Sequence, residues 1–211
     1  MAVTGALFVA YVLLHMYGNL KVFAGQESFD SYAEHLRTFG EPILPREGLL
    51  WTLRLVLLLS LVGHVYAAVT LWKRAHEARP QKYVVRKAVA ATLSSRTMRW
   101  GGIALLLFIV FHLLHLTTRT ITPGSNSDSP YERLVAGFQP DLWWLVLIYL
   151  LAMVALALHL RHGVWSACQT LGLTNTARSR SKANVAGIAL GLIIAGGFAL
   201  VPLSIVLGIV D

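Results

Sequence analysis

The chain has 211 residues, 56% of them hydrophobic and 13% charged, with a formal net charge of +8. Its mean hydropathy of +0.62 excludes a water-soluble domain, which could not hide so much apolar surface, and identifies an integral membrane protein. A single cysteine, Cys168, excludes an internal disulfide and any zinc or iron–sulfur site made by this chain alone, so metal chemistry has to use histidine.

Helix I is expected over about residues 1–22. It begins almost at the first residue, lacks the basic n-region of a signal peptide and carries His15, so it reads as a retained span with no leading segment. In HMYGNL, Gly18 and Asn19 lie three and four positions beyond His15, on its helical face. The connection from Phe23 to Gly48 holds Glu27, Asp30, Glu34, Glu41 and Glu47 with Pro42 and Pro45, and predicts a short amphipathic surface helix around Ser28 to Phe39.

Helix II is expected over about residues 49–72, with Arg54 near its start and His64 beside Gly63, Ala67 and Ala68. The connection that follows carries Lys73, Arg74, Arg79, Lys82, Arg86, Lys87, Arg96 and Arg99 against Glu77 alone, and so holds nearly all the net charge. Helix III, about 100–118, contains FHLLH with His112 and His115; the turn-rich TPGSNSDSP then leads to helix IV, about 142–166. In helix IV some sixteen apolar residues, in which Tyr149 is the strongest hydrogen-bonding group, precede His159, and Arg161 and His162 close the run. Helix V, about 185–210, has no ionisable group inside it, and its Gly187 and Gly191 form a GxxxG that suits close helix packing. Each run meets the roughly 20 residues needed to cross a hydrocarbon core about 30 Å thick. The fold expected is all-α: one transmembrane domain over 1–211, a five-helix bundle.

Lys and Arg concentrate in the second and fourth connections, so the positive-inside rule places the N-terminus in the cytoplasm and the C-terminus outside. That orientation converts position into depth. His15 and His112 each lie about seven residues, roughly 10 Å, from the outer ends of helices I and III, while His64 and His159 lie roughly 10–12 Å from the inner ends of helices II and IV. A lone histidine in a membrane helix is often a packing residue or part of an ion path. Four at two matched depths are better explained as two pairs of axial ligands, each pair holding a six-coordinate haem in the bundle core with no position left for oxygen. Small residues near three of them, Gly18, Ala67 with Ala68, and Ala155 with Gly163, would let a flat porphyrin approach. His115 and His162 lie nearer the interface, where a hydrogen bond to a propionate, a quinone or water is expected instead of ligation; His35 and His76 are assigned to solvated loops.

HMYGNL followed by SFDSYAEHL, LVGHVYAA in the second span, FHLLH in the third and HLRHGVWS followed by LTNTARS after the fourth, with a histidine-free fifth helix, resemble the single-chain dihaem cytochrome b anchor of the succinate dehydrogenase and fumarate reductase family. The resemblance covers nearly the whole chain. It implies two b haems between helices I to IV, with His15 and His112 matching the ligands of the outer haem and His64 and His159 those of the inner one. It also implies a multi-pass subunit of the bacterial plasma membrane that binds no succinate itself. Its soluble partners would be a succinate-oxidising flavoprotein and an iron–sulfur protein, with lipid around it, a membrane quinone, taken as menaquinone, as acceptor, and no nucleic acid. A quinone site near the outer haem would couple the reaction to the membrane potential, at about 2.3 kcal/mol per charge per 100 mV for a full crossing. Three rival readings are open: the same anchor with an iron–sulfur cluster or fewer haems, a haem-b anchor of another respiratory oxidoreductase, and a proton-coupled transporter. Haem content separates the first and third, and the soluble partner that co-purifies separates the second.

Overall fold

The computed structural model describes residues 1–78, 93–121 and 123–211; Arg79, Lys82, Arg86 and Lys87 of the basic connection lie outside them. The described residues form α1 (Ala2–Leu20), which runs on as a 3-10 turn over Lys21–Ala24, α2 (Gln26–Thr38), α3 (Gly48–Glu77), α4 (Leu93–His112), continued by a π-helical turn over Leu113–Thr117, α5 (Pro130–Ala136), α6 (Trp143–Thr170) and α7 (Ala177–Val206). Five of these segments are long and apolar enough to cross a membrane: Ala2–Ala24, Gly48–Glu77, Leu93–Thr117, Pro140–Thr170 and Ala177–Val206. The protein is an all-α, multi-pass membrane protein.

Helix boundaries extend past the apolar boundaries seen in sequence. α3 continues from Trp72 to Glu77, α6 from Ser166 to Thr170, and α7 starts at Ala177, eight residues before Val185. The reason is local: polar residues end the stretch that suits lipid, but they do not end backbone hydrogen bonding. At α7 the Thr176 hydroxyl accepts from the Ser179 amide at 3.1 Å and the Ser179 hydroxyl accepts from the Thr176 amide at 3.0 Å, a reciprocal cap that starts the helix in charged sequence. α7 ends at Val206, four residues before Val210, where the chain turns through Gly208 at φ +67°.

α6 is the central element: it lies along α7 and also packs on α4 and α1, while α7 packs on α1. The GxxxG of α7 is the reason for the close α6–α7 approach, since a Cβ at Gly187 would stand 2.6 Å from the Arg161 carbonyl oxygen and one at Gly191 2.8 Å from that of Ala157. α3 packs on α1 and α2 and makes only slight contact with the other spans. Most of its large side chains, among them Leu55, Leu59, Val62, Tyr66 and Leu71, are exposed, a surface that only lipid or another apolar chain would cover.

The end of the bundle that carries α2 and α5 is tied together by polar contacts. Gly25, at φ +85° and ψ 173°, takes a conformation open in practice only to glycine and turns the chain from α1 into α2. From α2, Asp30 accepts from the Ser129 hydroxyl at 2.6 Å and from the Tyr131 amide at 3.0 Å, while Ser129 itself caps α5 at the Glu132 amide. Tyr131 donates its hydroxyl to the Asp211 carbonyl at 2.9 Å, which brings the end of α7 to the same place. Beneath lies the main buried cluster, which includes Val22, Leu134, Phe138, Val146, Tyr149 and Ile205. Arg133 donates to the carbonyls of Ser127 and Asp128, both at 2.8 Å, and burial, then the nearby Arg119 and Arg37, lower its pKa from the ordinary arginine value.

Candidate cofactor site

The four histidines inside the spans meet in two pairs. The rings of His15 on α1 and His112 on α4 lie 5.9 Å apart between centroids with planes at 81°, and those of His64 on α3 and His159 on α6 lie 6.3 Å apart at 53°. These are the pairs that depth alone brings together. No two of the four come from neighbouring positions in the chain, so the arrangement exists only once the bundle has formed.

The surroundings of each imidazole differ. His64 Nδ1 lies 3.0 Å from the Thr4 hydroxyl of α1, which also donates to the Met1 carbonyl at 3.0 Å. His112 Nδ1 lies 3.2 Å from the Tyr149 hydroxyl of α6. His15 is stacked on Tyr11 at 5.4 Å, and Phe198 of α7 approaches it at 5.6 Å. His159 Nδ1 is buried with no hydrogen-bond partner among the described residues. A cleft of about 190 Å³ between α4 and α6 reaches His159 past Met98, Gly101 and Ala155.

The wider turn of backbone after His112 sets the place of His115. The Thr118 amide bonds back to the Leu113 carbonyl, five residues earlier, at 2.8 Å. His115 is 4% exposed, deeper than its sequence position implies, and its Nδ1 lies 2.9 Å from the same Tyr149 hydroxyl. His162 is half-buried and stands beside Trp165, with no histidine partner among the described residues. His35 and His76, assigned to the connections, lie in α2 and in the last turn of α3; both are exposed, His35 tilted against Phe39 and His76 edge-on to Trp72.

The small residues also need correcting. Gly18 does not face the space between the histidines: a Cβ there would stand 2.7 Å from the Tyr32 ring, so its smallness serves the contact of α1 with α2. The glycines beside the imidazoles are Gly5, whose Cβ would be 3.9 Å from His64 Cε1, and Gly102, whose Cβ would be 3.6 Å from His159 Cε1. Gly102, with Thr4 and Tyr149, is what the sequence reading missed. Two of the three follow from depth: Gly102 lies ten residues before His112 and Tyr149 ten before His159, each about 15 Å away and so level with the other pair.

Among the described residues no group of three or more His, Cys, Asp and Glu side chains converges on one point. Two imidazoles facing each other suit a cofactor that brings its own remaining ligands, as a porphyrin does. A metal–imidazole bond of about 2 Å on each side, with about 1 Å more from nitrogen to ring centre, puts the two centroids about 6 Å apart, which both pairs match.

Residues 73–198, about three-fifths of the chain, match the family model described as succinate dehydrogenase/fumarate reductase transmembrane subunit. The matched stretch includes His112, His115, His159 and His162. Comparison with curated proteins and with solved structures gives no match. With five apolar spans and three-fifths of its length matched, the chain belongs to the succinate dehydrogenase/fumarate reductase transmembrane subunit family.

Proposed function

We propose that this chain is the cytochrome b anchor of a succinate:quinone oxidoreductase, holding two b haems in two bis-histidine sites and conducting electrons through them from an iron–sulfur subunit to a membrane quinone. The observation that carries the reading is the spacing of the pairs, 5.9 Å for His15 with His112 and 6.3 Å for His64 with His159. A haem held by these imidazoles would supply one-electron transfer. The helices hold the donors at two levels of the bundle: α1 and α4 contribute one set, α3 and α6 the other. The slight contact of α3 with α4 and α6, although His64 and His159 meet across them, supports a flat group between these helices. The buried His159 Nδ1, without a hydrogen-bond partner among the described residues, supports a ring whose orientation is left to a metal bound at its other nitrogen.

The basic end of the bundle is assigned to the cytoplasm, where the iron–sulfur and flavoprotein subunits would dock, in a bacterial plasma membrane. The test is haem quantitation on the purified complex. Two b haems per chain are expected, with one lost from His15→Ala or His112→Ala and the other from His64→Ala or His159→Ala, and with a succinate-oxidising flavoprotein in the same preparation. A colourless complex overturns the reading.

A further inference from the structure

We infer that Thr4 and Tyr149 are the positioning residues of the two sites, each hydroxyl fixing one imidazole of one pair by its Nδ1 so that Nε2 is the nitrogen offered to iron. The inference rests on the bis-histidine reading above and adds to it which proton each ring carries and which histidine of α4 is excluded.

At Thr4 the backbone offers the hydroxyl proton an acceptor. With the single hydroxyl proton on the Met1 carbonyl at 3.0 Å, the Thr4 oxygen accepts from His64, also at 3.0 Å. His64 therefore carries its proton on Nδ1 and has its lone pair on Nε2. At Tyr149 one hydroxyl proton serves two ring nitrogens, His115 Nδ1 at 2.9 Å and His112 Nδ1 at 3.2 Å. Two arrangements satisfy all three groups, and the one that goes with His112 as the ligand has His112 Nδ1–H donating to the tyrosine oxygen and the tyrosine O–H donating to His115 Nδ1. His115 then keeps its proton on Nε2, which faces Gly137: a side chain there would stand 3.3 Å from that atom. With Nδ1 held by Tyr149 and Nε2 packed beside Gly137, His115 offers neither nitrogen to iron in this arrangement.

The tyrosine is itself held still. Phe108, Phe138 and Phe111 surround its ring at 5.0, 4.8 and 6.2 Å between centroids, all close to edge-on, and it is 8% exposed. A donor bond from Nδ1–H makes an imidazole a more basic ligand and favours the ferric state. Of the partners of these two rings, His159 has its Nδ1 buried and unpartnered among the described residues. Each site thus has one ring that a hydroxyl orients.

The experiment is a potentiometric titration of the two haems in the purified complex, with ferric EPR, whose anisotropy reports the angle between the imidazole planes. Tyr149→Phe keeps the packed ring and removes only the hydroxyl. It should keep two haems and shift the ferrous/ferric balance of the haem that His15→Ala abolishes towards ferrous, by about threefold to tenfold, tenfold being 59 mV for one electron. Thr4→Val should do the same to the other haem alone, and Thr4→Ser should restore it. His115→Ala should keep both haems, whereas loss of one in that variant overturns the assignment on α4. Two bound haems with potentials and spectra unmoved in both Tyr149→Phe and Thr4→Val overturn the inference while leaving two bis-histidine sites intact. A wild-type complex without haem overturns the functional reading and this inference with it.

Discussion

Single side chains decide how much space lies beside each histidine. Gly102 of α4 is the clearest case, because a Cβ there comes within 3.6 Å of His159 Cε1 and anything larger would displace the ring. Gly102→Leu should therefore lower the haem content assigned to His64 and His159 while sparing that of His15 and His112, measured by haem stoichiometry and by which of the two potentials survives. Asp30 works at the opposite end of the bundle as a polar tie between α2 and α5. Asp30→Ala would leave the Ser129 hydroxyl and the Tyr131 amide without their acceptor and should cost about 1–3 kcal/mol, read from detergent-phase thermal unfolding. The ion pairs of the first connection, Arg46 with Glu34 at 2.7 Å and Arg37 with Glu34 and Glu47 at 3.4 and 3.6 Å, are all partly exposed. Arg46→Ala should consequently change stability by less than about 1 kcal/mol.

Among the elements, α6 and α7 form the rigid part of the bundle and α3 the part most open to its surroundings. Gly187 and Gly191 let the α7 backbone lie on the carbonyls of Arg161 and Ala157, and no side chain can be inserted there without moving a helix. Gly187→Leu should force the two helices apart and destabilise the protein by at least 1–3 kcal/mol, roughly the cost of overpacking a close contact. Gly196, on the same helix, has open space where its Cβ would be. Gly196→Ala should be neutral, or more stable by up to about 1 kcal/mol from helix propensity. Comparing the two unfolding temperatures separates a packing role from a propensity effect. The π-helical turn after His112 belongs to this scale too, since it carries His115 to the hydroxyl that His112 also reaches.

Across the whole molecule charge is divided between the ends. Nine of the ten acids, all but Glu77, belong to the connections and terminus at the α2–α5 end, while Lys73, Arg74, Arg96, Arg99, Arg178, Arg180 and Lys182 lie at the other. An electric asymmetry of this kind fixes insertion direction. Cys168, the single cysteine, sits in the last turn of α6 at the basic end and is only half-buried. A membrane-impermeant maleimide should label it in inside-out vesicles and leave it unlabelled in intact cells; the reverse result would invert the proposed orientation.

What the amino-acid sequence determined by itself was the class of protein and its periodic content: five spans, the amphipathic α2 and the levels of four histidines, because length, hydropathy and a fixed rise of about 1.5 Å per residue are properties of one segment at a time. The GxxxG of α7 was legible for the same reason, since it is a local spacing. Which faces meet was not. Gly18 shares the helical face of His15 by spacing, yet the Tyr32 ring fills the place beside it, and His115 is buried on Tyr149 although its position suggested the interface. Thr4 reaches His64 across sixty residues, and Tyr149 reaches His112 across thirty-seven. Only the tertiary structure could supply these contacts, because periodicity gives a residue's height on its own helix, whereas the rotation of each helix towards its neighbours follows from packing all five together.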